Sequence, residues 1–317
     1  MKLAVVMDPI WSIKTHKDST LAMLIAAQAR NWKVFYFEPG DLWCRDGRAY
    51  GAARLLTVRD DPQNWYSFSN ATIIPLDELD IILMRKDPPF DMEYLYATYL
   101  LELAEARGAL VVNRPAAIRD ANEKLFSAWF PQCCPPTLVT NNIARTRDFL
   151  IEQGEIVVKP LDAMGGISVF RIRNDDPNCS VILETLSAHG RRFFMAQRYL
   201  PEIAEGDKRI LLIDGTPFPY ALARIPAPGE TRANLAVGGR GIGVELTERD
   251  LWISAEIGPE LRRRGLLFVG LDVIGAWCTE INVTSPTGIR ELDRIYQCDI
   301  AGQFLDCLEP RITHKHN

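Results

Sequence analysis

Short apolar runs alternate with helical stretches over the first 120 residues, and this alternation constrains the fold more than any other feature of the sequence. LAVVM at 3–7 has strand character, DSTLAMLIAAQARN at 18–31 has helical periodicity with Asp18 or Ser19 in place to cap it, and VFYFE at 34–38 is again strand-like. IILM at 81–84, a helical segment from Asp91 to Arg107 stopped by Gly108, and LVVN at 110–113 repeat the pattern. Strands alternating with helices predict a mostly parallel sheet covered on both faces, here an α/β domain ending near residue 120.

The pattern changes beyond Pro115, which opens a predicted helix over PAAIRDANEKLFSAWF. From residue 136 onward strand pairs follow one another: IVVKP, ISVFRIR, FFMAQRYL and RILLIDGTPFPYALARI, the last with Asp214-Gly215 as a hairpin signal. Antiparallel sheet with flanking helices, an α+β arrangement, is the expectation for this half. Two composition breaks suggest boundaries: QRYLP at 197–201, where a strand meets proline, and the glycine-rich PAPGETRANLAVGGRG at 226–241, which carries Arg232 and Arg240. A loop of that length without structure of its own reads as a functional lid or a disordered segment.

A chain of 317 residues, 47% hydrophobic and 24% charged, has the makeup of a globular protein of two or three domains. Its longest apolar runs fall short of the roughly 18–20 residues that a membrane helix needs. MKLAVVMDP lacks the h-region of a signal peptide, so a cytoplasmic protein with no membrane partner is expected. A net charge of −5 offers no basic footprint for nucleic acid. The seven cysteines form no C-x-x-C pair and fit a reduced compartment, and the terminal HKHN reads as a solvated tail.

Candidate chemistry concentrates in GLDVIGAWCTEINVTSP at 270–286, where apolar residues are interrupted by Asp272, Glu280 and Asn282. If Leu267–Ile274 and Cys278–Val283 pair as a hairpin, Glu280 and Asn282 share one face. Asp272 joins them if an odd loop of about three residues, Gly275 to Trp277, sets it opposite Glu280. Two carboxylates and an amide oxygen suit a hard cation, and Mg²⁺ is typically held by carboxylates together with substrate phosphates. The solvent face of a half-exposed hairpin would show the same alternation.

VVKPLDAMGG at 157–166 sets Lys159, at a strand end, ahead of Gly165 and Gly166, which can place an ammonium and backbone N–H groups around a polyphosphate. No Walker A sequence occurs, and GGRGIG at 238–243 does not meet the dinucleotide fingerprint. Lys124 and Arg209 are further cations. Each alone fits an exposed surface charge; with the oxygen cluster they fit a nucleotide held between two sheets.

MRKDPPF at 84–90, NEKLF with AWF at 122–130, KPLDAMGG at 159–166, GDKR at 206–209, LARIPAPGETRANLAVGGRG at 222–241, and FVGLDVIG with TEINVTSPTGIRE at 268–291 together resemble the bacterial glutathione synthetase family of ATP-grasp enzymes. The resemblance covers nearly the whole chain and is least characteristic over 43–72 and beyond 300. It implies an ATP-grasp architecture: a Rossmann-like parallel-sheet domain over 1–120, a central lid subdomain over 121–200, and an antiparallel-sheet ATP-binding domain over 201–317 with a mobile loop at 226–241. It further implies ATP-dependent ligation of γ-glutamylcysteine to glycine through an acyl phosphate, giving glutathione, ADP and phosphate. Such chemistry needs no side-chain nucleophile and rests on positioning and charge stabilisation.

By the same resemblance, Asp272, Glu280 and Asn282 hold one or two Mg²⁺ ions, with Mn²⁺ as a substitute. Lys124, Lys159, Gly165 and Gly166 bind the ATP phosphates, Gln197, Arg198, Tyr199 and Leu200 frame the adenine, and Asp207 lies at the ribose. Arg209 stabilises the transferring phosphoryl group, and Arg224 and Arg232 act with it, the latter from the mobile loop. Arg85, Arg224, Ser285, Thr287 and Arg290 bind substrate carboxylates, and the family suggests a homotetramer. Two alternatives stand beside this reading: another ATP-grasp carboxylate–amine ligase with a different acceptor pocket, and a non-catalytic ATP-binding regulator. MRKDPPF and TSPTGIRE favour the glutathione enzyme over the first, and the full metal set argues against the second.

Overall fold

Residues 1–227 and 240–312 are described in the computed structural model. In chain order the N-terminal part gives β1 (Lys2–Val6), α1 (Ser19–Ala29), β2 (Lys33–Phe37), β3 (Leu42–Arg45), β4 (Arg48–Val58), β5 (Tyr66–Pro75), β6 (Ile81–Met84), α2 (Met92–Glu105), β7 (Leu110–Val112) and α3 (Pro115–Asp120). Strands β2, β1, β6 and β7 lie side by side and parallel, as the alternation predicts. Of the two candidate caps of α1, Asp18 acts: its carboxylate accepts the Leu21 N–H at 2.6 Å.

Residues 42–75, which carry no strand signal in the alternation, extend this sheet. β4 joins β2 antiparallel and pairs with both β3 and β5. The first half of its buried face is built from Ala49, Gly51 and Ala53, before a bulge between Arg54 and Leu56 shifts burial to Leu56 and Val58. Small residues are needed there, since a Cβ on Gly51 would stand 2.4 Å from the Phe37 ring.

The predicted helix over 115–130 is interrupted. Ala121 leaves helical geometry (φ −115°, ψ 78°). The Asn122 side-chain oxygen then accepts the N–H groups of Lys124 (3.2 Å) and Leu125 (2.9 Å), and its amide donates to the Leu161 carbonyl (3.0 Å). Asparagine offers the backbone a partner that competes with the helix. Lys124 consequently sits on a turn, ahead of a tight 3₁₀ segment at Leu125–Trp129.

The second sheet comprises β8 (Thr137–Thr140), β9 (Glu155–Pro160), β10 (Phe170–Arg173) and β11 (Phe194–Arg198), in the order β10-β9-β11-β8, covered by α4 (Ile143–Gln153) and α5 (Cys179–Ser187). The third comprises β12 (Asp207–Ile213), β13 (Thr216–Ile225), β14 (Arg240–Glu245), β15 (Phe268–Ile274) and β16 (Trp277–Asn282), in the order β14-β13-β12-β15-β16, with α6 (Glu248–Arg264) packed against it. Both are antiparallel throughout. At the β12–β13 turn Asp214 and Gly215 both have positive φ (49° and 70°), the pairing a two-residue hairpin of primed type demands. β14 begins at Arg240, inside the predicted loop at 226–241, and pairs with Ile225. Residues 228–239 of that loop, Arg232 among them, lie outside the described residues.

The chain closes with α7 (Ile289–Tyr296) and α8 (Ile300–Leu308), which return to the N-terminal sheet. Phe304, Leu305 and Leu308 share a core with Leu21 and Leu24 of α1, and the Phe304 and Phe268 rings lie 4.9 Å apart. The Arg30 guanidinium donates to the Gly302 carbonyl at 3.0 Å and to Asp306 at 2.6 Å. The segment beyond 300 therefore completes a core begun by the first 30 residues.

Candidate active site

Asp272 and Glu280 are cross-strand partners, as are Gly270 and Asn282. The hairpin loop is two residues, Gly275 and Ala276, because Ile274 pairs with Trp277, and not the three expected. A regular ladder from that loop would set Asp272 against Thr279. A β-bulge between Asp272 and Val273 adds the odd residue and brings Glu280 opposite Asp272. It also leaves the Thr279 carbonyl to accept from the Lys159 ammonium at 3.3 Å.

The carboxylates are tied to cations. Arg209 grips Asp272 with Nε on Oδ1 (2.6 Å) and Nη2 on Oδ2 (3.0 Å), and Arg224 reaches Oδ2 at 2.9 Å. Gly270 makes room for this contact, since a Cβ there would stand 2.7 Å from Arg209 Cδ. Glu280 faces Lys159 at 3.2 Å and Lys124 at 3.9 Å. Burial pushes the Asp272 carboxyl up, but Arg209 and Arg224 hold it well below the usual range. Burial likewise raises Glu280, and Lys159 and Lys124 bring it below its ordinary value. Asp207 fares differently: burial pushes it up to about 7, because Arg224 is shared with Asp272 and the neighbouring carboxylates repel.

Asp272, Glu280 and Asn282 line one cleft. Asn282 donates through its amide nitrogen to the Gly270 carbonyl (3.2 Å), which leaves its oxygen without a partner among the described residues. Two carboxylates and this carboxamide oxygen form an all-oxygen donor set that fits a hard divalent cation. His, Cys, Asp and Glu alone form no group of three among the described residues.

A cavity of about 970 Å³ opens between the second and third sheets, bounded by Lys124, Lys159, the 163–167 loop, Gln197–Leu200, Asp207 and Glu280. Gly165 and Gly166 have φ of 64° and 79°, which most other residues adopt only at a cost. The Lys124 ammonium donates to the Ala163 carbonyl, fixing this loop over the cavity. The strand end beneath it is held by the Arg198 and Tyr199 N–H groups, which donate to Pro136 and Glu155 carbonyls at 3.0 Å each. Gln197 donates to the Thr137 hydroxyl at 3.1 Å, and Val157, Ile203 and Ile274 supply apolar walls.

Through Lys124, Gly165, Asp272 and Glu280 this cavity joins a second of about 1610 Å³, which reaches the carboxyl ends of β1 and β6. β1 has β2 on one side and β6 on the other, so this is the point where strand order reverses and ligands of open α/β sheets bind. Arg85 follows β6 directly and is buried. Its Nε donates to the Thr20 hydroxyl (3.0 Å) and its Nη2 to the Pro286 carbonyl (2.9 Å), while Nη1 has no partner. Ser285 donates to the Arg85 carbonyl at 3.3 Å, and the Thr287 carbonyl accepts from Arg209 at 3.3 Å. Arg290 is not brought into the cleft; its guanidinium pairs with Asp60.

Two residues given no role from the sequence hold the parts together. Asn113 donates to the Phe268 and Val283 carbonyls (2.8 and 2.7 Å) and accepts the Phe268 N–H (2.9 Å), locking the end of β7 to the third sheet. Glu123 accepts the N–H groups of Val283 (2.8 Å) and Thr284 (2.9 Å), tying the Lys124 turn to the end of β16.

Residues 1–119 match the model of the prokaryotic glutathione synthetase N-terminal domain, and residues 123–297 that of the prokaryotic glutathione synthetase ATP-grasp domain. The glutathione synthetase of Coxiella burnetii is 56% identical over 311 residues, covering 98% of this chain and 97% of its own length. That of Pseudomonas aeruginosa is 58% identical over 313 residues, covering 99% of each chain. Among solved structures, D-cycloserine synthetase DcsG superimposes with a TM-score of 0.67 at 18% identity, covering 99% of this chain and 100% of its own. The ATP-grasp ligase PsnB superimposes with a TM-score of 0.62 at 16% identity, covering 98% of each chain. With both domains matched in order and relatives alike from end to end, the chain belongs to the prokaryotic glutathione synthetase family and has the ATP-grasp fold.

Proposed function

We propose that the chain joins γ-glutamylcysteine and glycine into glutathione with ATP as phosphoryl donor, through an acyl phosphate. Family membership supports ATP and a divalent cation in general, and the geometry of the cleft supports the residue roles. The observation that carries the reading is the buried Arg85 guanidinium, whose free Nη1 waits at the far end of a cleft that begins at the nucleotide cavity. A dipeptide lying along that cleft would give its remote carboxylate to Arg85 and its reacting carboxylate to the phosphate end.

Lys124 and Lys159 would bind the ATP phosphates under the Gly165–Gly166 turn, with adenine against Gln197, Arg198, Tyr199 and Leu200 and the ribose near Asp207. Asp272, Glu280 and Asn282 would hold Mg²⁺, with Mn²⁺ as a substitute, which supplies charge neutralisation at the phosphates. Arg209 and Arg224, anchored on Asp272, would present fixed positive charge where the phosphoryl group passes to the carboxylate. Ser285 and Thr287 border the acceptor end, and Arg232 would act from its loop. We further propose a cytoplasmic homotetramer; no helix among the described residues is long and apolar enough to cross a membrane.

ADP release with Mg²⁺ and ATP, with γ-glutamylcysteine and glycine each omitted in turn, tests the reading. Release is expected only with both, in step with glutathione formed. Release with other acid–amine pairs and not with this one would assign the chain to a different ligation.

A further inference from the structure

Glu123 is half-buried on the wall of the second cavity, next in sequence to Lys124, which both cavities share, and its charge has no task in the roles above. All of its side-chain hydrogen bonds fall on Oε1, which accepts the Val283 N–H (2.8 Å), the Thr284 N–H (2.9 Å) and the Thr284 hydroxyl (2.8 Å). Its backbone carbonyl accepts the Ile281 N–H at 2.8 Å, so the residue is fixed at both ends. Oε2 has no donor among the described residues, and the side chain lines the acceptor cleft with Arg85, Asn282 and Ser285.

The charged and polar groups around it do not neutralise it. Lys124, its neighbour in sequence, turns to the Ala163 carbonyl and Glu280. Glu280 is of like charge, and the nearby Tyr94 hydroxyl is itself buried without a partner. Glu123 forms no ion pair with any described residue. A carboxylate half-withdrawn from water, with one oxygen lacking a donor, is left for a cation in the cleft to complete. The cleft that it faces must admit an ammonium, because glycine carries one at neutral pH.

We propose that Glu123 binds the ammonium of the incoming glycine through Oε2 and takes a proton from it as the amine attacks. The assignment rests on the ligase reading above. Glycine arrives with no nitrogen lone pair. Transfer of one proton to Oε2 frees the pair, the C–N bond forms at the acyl carbon, and the bond from that carbon to the phosphate oxygen breaks. The second nitrogen proton passes to an oxygen of the departing phosphate, and Glu123 then gives its own proton to solvent.

Glu123→Gln keeps a carbonyl oxygen for the three hydrogen bonds and removes the charge, so it separates this role from architecture. With ATP and Mg²⁺, glycine-dependent kcat/KM is expected to fall about 100-fold, the lower range of what a positioned base contributes. Positional isotope exchange in ATP that needs γ-glutamylcysteine and no glycine is expected to stay at the wild-type rate. Hydroxylamine, largely uncharged at neutral pH, is expected to be accepted at close to the wild-type rate, and Glu123→Asp to recover part of the glycine turnover. Unchanged glycine kinetics would overturn the proposal. So would equal losses in exchange, hydroxylamine and glycine turnover, which would make Glu123 a framework residue only. A wild-type protein that exchanges isotope but never uses glycine would overturn the ligase reading instead.

Discussion

The unpaired Nη1 of Arg85 leaves a charge-assisted hydrogen bond to be completed by substrate, worth roughly 1.5–3 kcal/mol. Lysine cannot repeat the planar fork that also holds Thr20 and Pro286. Arg85→Lys is therefore expected to raise KM for γ-glutamylcysteine by roughly ten- to a hundredfold while ATP binding without dipeptide stays unchanged; an unaltered KM would remove Arg85 from the acceptor end. Asp207 predicts a pH effect. Its folded-state value of about 7 exceeds the ordinary carboxyl value near ~4, so its contribution to stability is complete below that lower value and is lost as pH rises through the upper one. Asp207→Asn should flatten the fall in melting temperature across this window; a wild-type slope would place the titration elsewhere. At this scale the sequence showed the charged residues at strand ends, and not their partners. Arg209 lies 63 residues from Asp272, and Glu123 lies 160 from Val283, so nothing local signals either pair.

Among the elements, short apolar strands and the Asp214-Gly215 turn were legible because local chemistry alone dictates them. β3 to β5 were not, since the first half of β4 buries only alanine and glycine and a bulge breaks its period before Leu56 and Val58. The break after α3 was hidden for a related reason: one asparagine side chain overrides a helical pattern that the apolar residues otherwise support. Asn122→Ala removes that competitor and frees α3 to run on through Lys124. ATP affinity is expected to drop roughly tenfold, about the worth of one well-placed hydrogen bond, as read by calorimetry with a non-hydrolysable ATP analogue. Undiminished affinity would mean that the Lys124 turn is set by other contacts. The hairpin of β15 and β16 shows a different limit. The facing of Asp272 and Glu280 was legible from spacing, but the bulge that achieves it was not.

Across the whole molecule, the N-terminal sheet and the third sheet are not independent. Asn113 bridges them with three hydrogen bonds, and α8 packs onto α1. Phe304, almost wholly buried in that shared core, is the residue to truncate. Phe304→Ala is expected to cost about 3–5 kcal/mol of unfolding free energy in urea titrations; a loss within error would show that α8 is a loose appendage. The joined sheets matter because the cleft that connects the nucleotide cavity to Arg85 has walls from both. Holding the dipeptide by Arg85 at one end while its other carboxylate is activated and then attacked at the phosphate end requires that cleft to stay continuous through both steps. Direct evidence for the sequence of steps would come from γ-glutamylcysteine labelled with ¹⁸O in its cysteinyl carboxylate, turned over with ATP, Mg²⁺ and glycine. One labelled oxygen should appear in the released phosphate for each glutathione formed. Unlabelled phosphate, with the expelled label found in water instead, would contradict an acyl phosphate.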